Sequence, residues 1–316
     1  MNQDYRLFEL LSDGEFHSGE LIAKEFGVSR SRVWALINSL EKKGVQISRV
    51  RGRGYRYGGG SKLIDTDYLR QALAGIDLHY SVELESTNEF ARTIKPKQCA
   101  LVLTEYQTSG KGRRGRQWSS GFGQNLMFTM KVNEYDSVHG LEGLSLVVGH
   151  SIVTAVDNAL GLNVQVKWPN DILYKDNKIA GVLIEIQGDL TGACNLMIGV
   201  GLNVNDEPEL VDRKDVTSLK GAKNKTINRT GLLLNIVKQI EIDLARFQAS
   251  GFTVFKDSWN AFDAYRGQEV MVTQGDRKIV GVSKGVNDKG ALILVLEGSE
   301  ELLVHGGEVS LRKLNV

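Results

Sequence analysis

Residues 104–120 read TEYQTSGKGRRGRQWSS, and the reading of this stretch decides the fold. GKGRRG formally fits G-x-G-x-x-G after a strand-like run, the outline of a dinucleotide-binding turn. Such a turn has to open directly into a helix. Here Arg116, Gln117, Trp118 and two serines follow without helical periodicity, which excludes a doubly wound dinucleotide fold. No G-K-[ST] closes the stretch, so it is not a P-loop either. What remains is a mobile glycine-rich loop carrying Lys111, Arg113, Arg114 and Arg116, suited to closing over an anionic ligand. A structural or nucleic-acid-binding role for these cations is the alternative.

Outward from this loop, strand-like runs (CALVLTEY, NLMFTMKV, VQVKWP, KIAGVLIEIQ, CNLMIGVGLNV) mix with amphipathic helices over 141–160 and 229–250. The pattern predicts an α+β or α/β core large enough to hold a pocket. In VKWPND (166–171) Trp-Pro ends an extended segment, and in DNKIAGVLIE (176–185) Lys178 leads into an apolar strand. Such a lysine is either a snorkelling edge residue or a charge aimed into a pocket. Gly181 allows close approach to a ligand. IGVGLNV (198–204) places glycines at alternate strand positions and ends in Asn203. ESTNEF (85–90) gathers Ser86, Thr87 and Asn88 before a helix, either as ligand-binding groups or as a plain N-cap.

Toward the N-terminus, helical spacing of Leu7, Leu10 and Leu11, of Leu21, Ile22 and Phe26, and of Val33, Ile37 and Leu40 predicts three helices. Ser18 and Ser29 are N-caps, and Gly27 is the turn residue. VQISRVRGRGYRY then forms a hairpin, completing a winged helix. Between Arg30 and Arg56 stand eight basic residues against one acid, Glu41, and they fall on the third helix and the wing. That placement points to DNA, a basic protein-binding face being the alternative. Arg30, Ser31, Trp34 and Asn38 are the candidate groove readers, and Arg51 and Arg53 the phosphate or minor-groove contacts. GGGSK (58–62) reads as a flexible linker. After residue 265, five short strands predict a small barrel. The expected domains are 1–60, 61–265 and 266–316.

The 316 residues carry 39 basic and 38 acidic side chains, so nucleic-acid affinity has to come from local clustering. Disordered, collagenous and disulfide-stapled classes are excluded by 41% hydrophobic residues and two cysteines, Cys99 and Cys194, without metal or redox spacing. The acidic, amphipathic N-terminus is no signal peptide, and no run of about 18 apolar residues exists, so a cytoplasmic protein without membrane contact is expected.

Taken together, ESTN, TSGKGRRGRQW, KWPND, KIAGVLIE and GVGLNV resemble the biotin–protein ligases. With the winged helix, the whole chain resembles the bacterial ligases that also repress a biotin operon. The resemblance implies a multidomain α+β chain: a winged helix-turn-helix, a central class II synthetase-like ligase domain and a C-terminal SH3-like β-barrel. It implies joining of biotin to ATP with Mg²⁺, giving biotinyl-5′-adenylate, and transfer to a lysine of a biotin carboxyl carrier protein. Further partners would be operator DNA and a second copy of the chain, the homodimer forming when biotinyl-5′-adenylate binds as corepressor.

By the same resemblance Lys178 and Arg113 are catalytic. Biotin would be held by Ser86, Thr87, Asn88, Gln107, Gly110, Lys111, Gly112, Arg113, Trp118, Lys178 and Gly181. The nucleotide would fall to Lys111, Arg114, Asn170, Asp171, Asn203, Glu308 and Arg312, and no side chain is assigned to metal alone. Two departures stand out. Lys111 occupies the first basic position of the usual G-R-G-R-R-G, keeping charge but losing the bidentate fork. NDEPELVDRKDVTSLK (205–220), the expected adenylate-ordering loop, has no aromatic residue to stack on adenine. The alternatives are a lipoate–protein ligase and a ligase-inactive, metabolite-sensing transcription factor.

Overall fold

Capping side chains set the N-terminal helices. In a computed structural model describing residues 2–96, 98–136, 141–188, 193–206, 215–306 and 309–314, α1 (Gln3–Leu11) starts at Asn2, whose carboxamide accepts from Asp4 N. Ser18 caps α2 (Gly19–Phe26), Gly27 ends it at φ 65°, and Ser29 caps α3 (Arg30–Lys42). Each cap contributes about 1 kcal/mol. β1 (Ile47–Val50) and β2 (Gly54–Tyr57) form the antiparallel wing, so the predicted winged helix is present. Its core holds Leu7, Leu11, Ile22, Val33, Ile37 and Leu40 as expected, whereas Leu21 faces solvent.

The linker departs from its composition. Ser61 is fully buried, with its hydroxyl on Gly123 O at 2.6 Å, while the Tyr57 hydroxyl bonds the Gln124 carboxamide. Gly59 O accepts from Thr226 Oγ1 at 3.2 Å. GGGSK is thus a fixed strap, held by these polar contacts with the next domain. Phe122 of that domain completes the winged-helix core, packing edge-on against Phe8. Lys43, at the end of α3, pairs with Asp4 at 2.9 Å and with Glu83 across the boundary.

The central domain runs α4 (Thr66–Ala72), β3 (Asp77–Leu84), α5 (Thr87–Thr93), β4 (Cys99–Gln107), β5 (Gly110–Lys111), β6 (Gln117–Trp118), β7 (Leu126–Asp136), α6 (Leu144–Leu160), β8 (Gln165–Lys167), β9 (Asp171–Tyr174), β10 (Asn177–Gly188), β11 (Ala193–Leu202), α7 (Leu219–Lys223), α8 (Arg229–Ser250) and α9 (Lys256–Phe262). Seven strands form one sheet in the order β3-β4-β7-β11-β10-β9-β8, with β3 and β4 parallel and the other pairs antiparallel. Strand alternation sends Leu101, Leu103, Ile198 and Val200 into the large core shared with α6 and α8. Val102 and Met197 pack on the other face with Ala91 of α5. Gly199 and Gly201 follow Met197 on that second face, where the cleft opens.

The C-terminal strands β12 (Glu269–Gln274), β13 (Arg277–Val286), β14 (Leu292–Val295), β15 (Glu301–Val304) and β16 (Val309–Lys313) are antiparallel in the order β15-β14-β13-β12-β16. All five predicted strands are there. They dock on the central domain through Trp168 Nε1, which donates to Gly290 O at 3.1 Å, and Asn260 Nδ2 of α9, which donates to Val286 O at 3.1 Å. Both cysteines are free, and burial pushes the Cys99 thiol up to about 12, so it stays protonated. No helix among the described residues is long and apolar enough to cross a membrane.

At the junction before β12, Asp263 is 8% exposed; one oxygen accepts from Tyr265 N and the other has no partner. Burial raises its carboxyl from 3.8 to about 6. The folded chain therefore binds this proton more tightly than the unfolded chain, and stability falls as pH rises from about 4 through 6. Asp263→Asn is expected to leave stability unchanged at pH 3.5 and to raise it by about 3 kcal/mol at pH 8. Urea midpoints at the two pH values check this, and an equal effect at both would show that Asp263 ionises freely in the fold.

Candidate active site

Ser86, Thr87 and Asn88 stand at the start of α5, where the chain leaves β3 above the sheet. Ser86 is 4% exposed, yet its hydroxyl makes no cap bond, so the plain N-cap reading fails. Gln107, at the end of β4, takes that role: its Oε1 accepts from Thr87 N at 2.8 Å and from Thr87 Oγ1 at 3.2 Å. Beneath them Thr129 of β7 is fully buried. Its hydroxyl lies 2.8 Å from Thr87 Oγ1 and 2.6 Å from Asn88 Oδ1. The Asn88 amide in turn donates to Glu185 of β10 at 2.7 Å.

Opposite this neutral end, the cationic loop folds back as the β5–β6 hairpin. Arg113 donates to Asn170 Oδ1 at 2.7 Å, and Asn170 is fixed to β10 through Val182 O at 2.9 Å. Burial lowers the Arg113 pKa, an effect that Asp171 opposes. Lys111 is paired with Glu89 of α5, whose carboxyl that ammonium holds below its usual value. Trp118 lies across β11: a Cβ on Gly201 would stand 2.3 Å from its indole, so only glycine lets the ring seat there. Gly199 is bound by the same constraint toward Asn88, whose Oδ1 would be 2.3 Å from a Cβ. Each alternate glycine of IGVGLNV thus makes room for one cleft residue.

Lys178 follows from a β-bulge. Pairing of β10 with β9 slips between Lys178 and Ala180, and a bridge to Val216 fixes the lysine backbone. Its side chain is 17% exposed, paired with the Asp171 carboxylate and 5.9 Å from the Trp118 ring. That geometry settles against a snorkelling residue. A Cβ at Gly181 would come within 3.0 Å of the ammonium, and this glycine also lines the cleft.

Ten of the residues expected at biotin line one cleft: Ser86, Thr87, Asn88, Gln107, Lys111, Gly112, Arg113, Trp118, Lys178 and Gly181. Gly110 is not among the lining residues; it lies under Gln107 and Trp118, too close to both for a Cβ. Of the nucleotide set, Asn170 lines the cleft, Asp171 reaches it through Lys178, and Asn203 is buried beside it with Oδ1 unpartnered. Arg114 stands exposed at φ 60° outside the lining, and Arg312 is exposed on β16 of the C-terminal domain. Glu308 and the middle of the 205–220 segment, residues 207–214, lie outside the described residues. Thr129 and Glu185 are absent from the sequence-derived set: neither carries a local motif, and each acts across the sheet.

The loop seat yields a test. Gly201→Ala is expected to unseat Trp118 and expose the Arg113–Arg116 turn, so that trypsin cuts the ligand-free protein there several-fold faster. Unchanged cleavage would mean that the turn is held independently of the indole.

At the candidate DNA face, Arg30, Ser31 and Trp34 are exposed on α3, the last at 56%, and Arg51 and Arg53 are exposed on the wing. Asn38 accepts from Arg49 Nη2 at 2.6 Å, which ties the helix to the wing. Arg53 rests 4.2 Å above the Phe16 ring.

Comparison with known proteins agrees with this architecture. The biotin/lipoate A/B protein ligase family model matches residues 80–205, an HTH domain model 4–56 and the biotin protein ligase C-terminal domain model 266–312. The bifunctional ligase/repressor BirA of Salmonella typhimurium is 33% identical over 97% of this chain and 96% of its own length. The Bacillus subtilis protein of the same name is 31% identical over 91% and 92%. A biotin protein ligase from Aquifex aeolicus, solved with biotin and ATP, superposes with a TM-score of 0.69 at 31% identity, covering 75% of this chain and 99% of that one. The chain belongs to the biotin–protein ligase family, in its bifunctional ligase/repressor branch.

Proposed function

We propose that the chain joins biotin to ATP, forming biotinyl-5′-adenylate and pyrophosphate, and passes the biotinyl group to a lysine of a biotin carboxyl carrier protein. Its N-terminal domain represses a biotin operon with the adenylate as corepressor. The observation that carries this reading is one cleft with a neutral hydrogen-bonding end (Ser86, Thr87, Asn88, Gln107) and a cationic end (Arg113, Lys178). Biotin is a neutral bicycle with a carboxylate on an aliphatic tail, and those two ends match its two halves. Val182, Leu183 and Val200 supply apolar lining between them.

Adenylation brings a carboxylate onto an α-phosphate, so two anions are forced together. Lys178 and Arg113 offset that charge, and a half-buried ammonium does so more strongly than a solvated one. Trp118 covers the cleft and excludes water, which protects the mixed anhydride from hydrolysis. Asp171 and the unpartnered Asn203 Oδ1 are the acceptors that suit Mg²⁺, an ion usually held by one or two protein oxygens together with nucleotide phosphates. When bound, the ion neutralises phosphate charge. On the winged helix, Arg30, Ser31, Trp34 and Asn38 read the groove while Arg51 and Arg53 grip phosphate. Two copies, paired when the adenylate binds, place two such helices on one palindrome.

Pyrophosphate release with biotin, with lipoate and with neither tests the reaction. Release with lipoate alone would overturn it in favour of a lipoate ligase, and the absence of release with either substrate would leave a DNA-binding sensor. Lys178→Ala is expected to slow adenylation by about 10²–10³-fold while leaving biotin affinity nearly unchanged, since its charge matters most in the transition state. Single-turnover kinetics of the two half-reactions check this; an equal fall in transfer from supplied biotinyl-adenylate would make Lys178 a structural residue. Changing Arg51 and Arg53 together to Ala should weaken DNA binding across sequences and flatten its salt dependence by about 0.9 in slope per lost contact. Binding isotherms between low and moderate salt measure this, and an unchanged slope would remove both arginines from the phosphate contacts.

A further inference from the structure

We infer that Arg49 is a positioning residue for base recognition: with Glu41 it locks the Asn38 carboxamide in one orientation and so decides which way round the third helix presents that amide to a base. The inference rests on the DNA-binding reading above and names the group through which that surface discriminates between sequences.

Asn38 follows Ser31 by about two helical turns, on the face of α3 opposite the core residues Val33, Ile37 and Leu40. Its carboxamide has an acceptor at one end and a donor at the other, and an amide free to turn over offers a base either one. Here it is not free. A guanidinium only donates, so the 2.6 Å bond from Arg49 Nη2 fixes Asn38 Oδ1 on the wing side. Turned over, the amide would set its NH₂ against the guanidinium, donor against donor. That NH₂ has no partner among the described residues and is not buried, so it stays available to a base.

Arg49 is itself held from several sides. Its Nε donates to Glu41 Oε1 at 3.0 Å and its Nη2 to Glu41 Oε2, a two-pronged grip of guanidinium on carboxylate. Nη2 carries two protons, one for Glu41 and one for Asn38. The guanidinium also lies 5.9 Å from the ring of Tyr55, the residue that Arg49 pairs with across the wing. Tyr55 is anchored in turn, its backbone exchanging two hydrogen bonds with His17, both at 2.9 Å. The charge of Arg49 is thus matched within the protein, and what the residue brings to the DNA face is direction. This pairing also accounts for Glu41, the one acid between Arg30 and Arg56, on a surface where an unpaired carboxylate would only repel phosphate.

Equilibrium binding of the full chain, with biotin and ATP, to two duplexes tests this. One duplex is selected by the wild-type chain from a randomised pool, and the other has the same bases scrambled. Changing Glu41 and Arg49 together to Ala removes the pair without altering net charge. This double variant is expected to bind the selected duplex about tenfold more weakly, the size of one lost base contact, with the scrambled duplex and the salt slope unchanged. Asn38→Ala should lose the same factor, and the triple variant no more than either; thermal unfolding confirms that each variant is folded. Equal weakening on both duplexes overturns the inference, and a slope flattened by about 0.9 would then make Arg49 a phosphate contact. Losses that multiply in the triple variant overturn it as well, because Arg49 then acts apart from Asn38. A wild-type chain that enriches no sequence removes the parent reading and this inference with it, whereas a selected sequence bound at wild-type strength by the double variant or by Asn38→Ala removes the inference alone.

Discussion

The buried ion pair between Glu105 and Arg229 is the constraint on which the rest of the molecule depends. The two side chains are 0% and 1% exposed and 2.7 Å apart. Charges placed this deep are tolerable when most of their remaining hydrogen-bonding capacity is used, and here Arg229 Nε alone of the guanidinium nitrogens has no partner. Glu105 accepts from Ile64 N and Tyr80 Oη, and Arg229 donates to Lys62 O and Asn125 O. The end of the strap, β3, β4, the segment after the cationic loop and the start of α8 are thus tied to one pair. Removing either partner leaves an uncompensated charge, a cost of about 3–5 kcal/mol. That is a large fraction of a domain's stability.

Asn125 passes this constraint to the cleft. Its backbone oxygen serves Arg229, while its side chain accepts from Val204 N at 2.7 Å, at the end of IGVGLNV. Three residues earlier, Phe122 sits in the winged-helix core, and its N–H donates to Lys43 O at 2.8 Å. Residues 121–125 therefore touch the DNA-binding module and both segments flanking the cleft. With the strap also bonded, the N-terminal domain shares a core with the ligase domain.

Local rules made much of this legible. Ser18, Gly27 and Ser29 bound their helices where capping chemistry places them, and the basic stripe lies on α3 and the wing. The motifs that carry the family resemblance converge on one cleft, as recognition of a single ligand requires. GGGSK misled because glycine content reports backbone freedom in the unfolded chain, and nothing local shows that Ser61 will be buried against Gly123. Thr129 and Glu185 left no local trace. Their roles come from hydrogen bonds to Asn88 of α5, 41 and 97 residues away along the chain. Only the sheet order β4-β7-β11-β10 brings those strands under α5.

The cations of the cleft show why carboxylates stand among them. Lys178 is paired with Asp171, Lys111 with Glu89, and Arg113 is hydrogen-bonded to Asn170. A half-buried ammonium without a partner would carry a desolvation penalty and take up whatever small anion was abundant. With the Asp171 carboxylate beside it, the two side chains 17% and 20% exposed, Lys178 is released only to a ligand that compensates for the lost pair. A single carboxylate merely exchanges like for like. A carboxylate and a phosphate arriving together bring more charge than Asp171 holds, and the balance then favours the ligand. On the proposed function, discrimination at this end would come from the total charge of the incoming pair, and shape would be read at the other end by neutral groups. Separating the two tasks lets the ring end hold its geometry unchanged when the charges at the far end change partners.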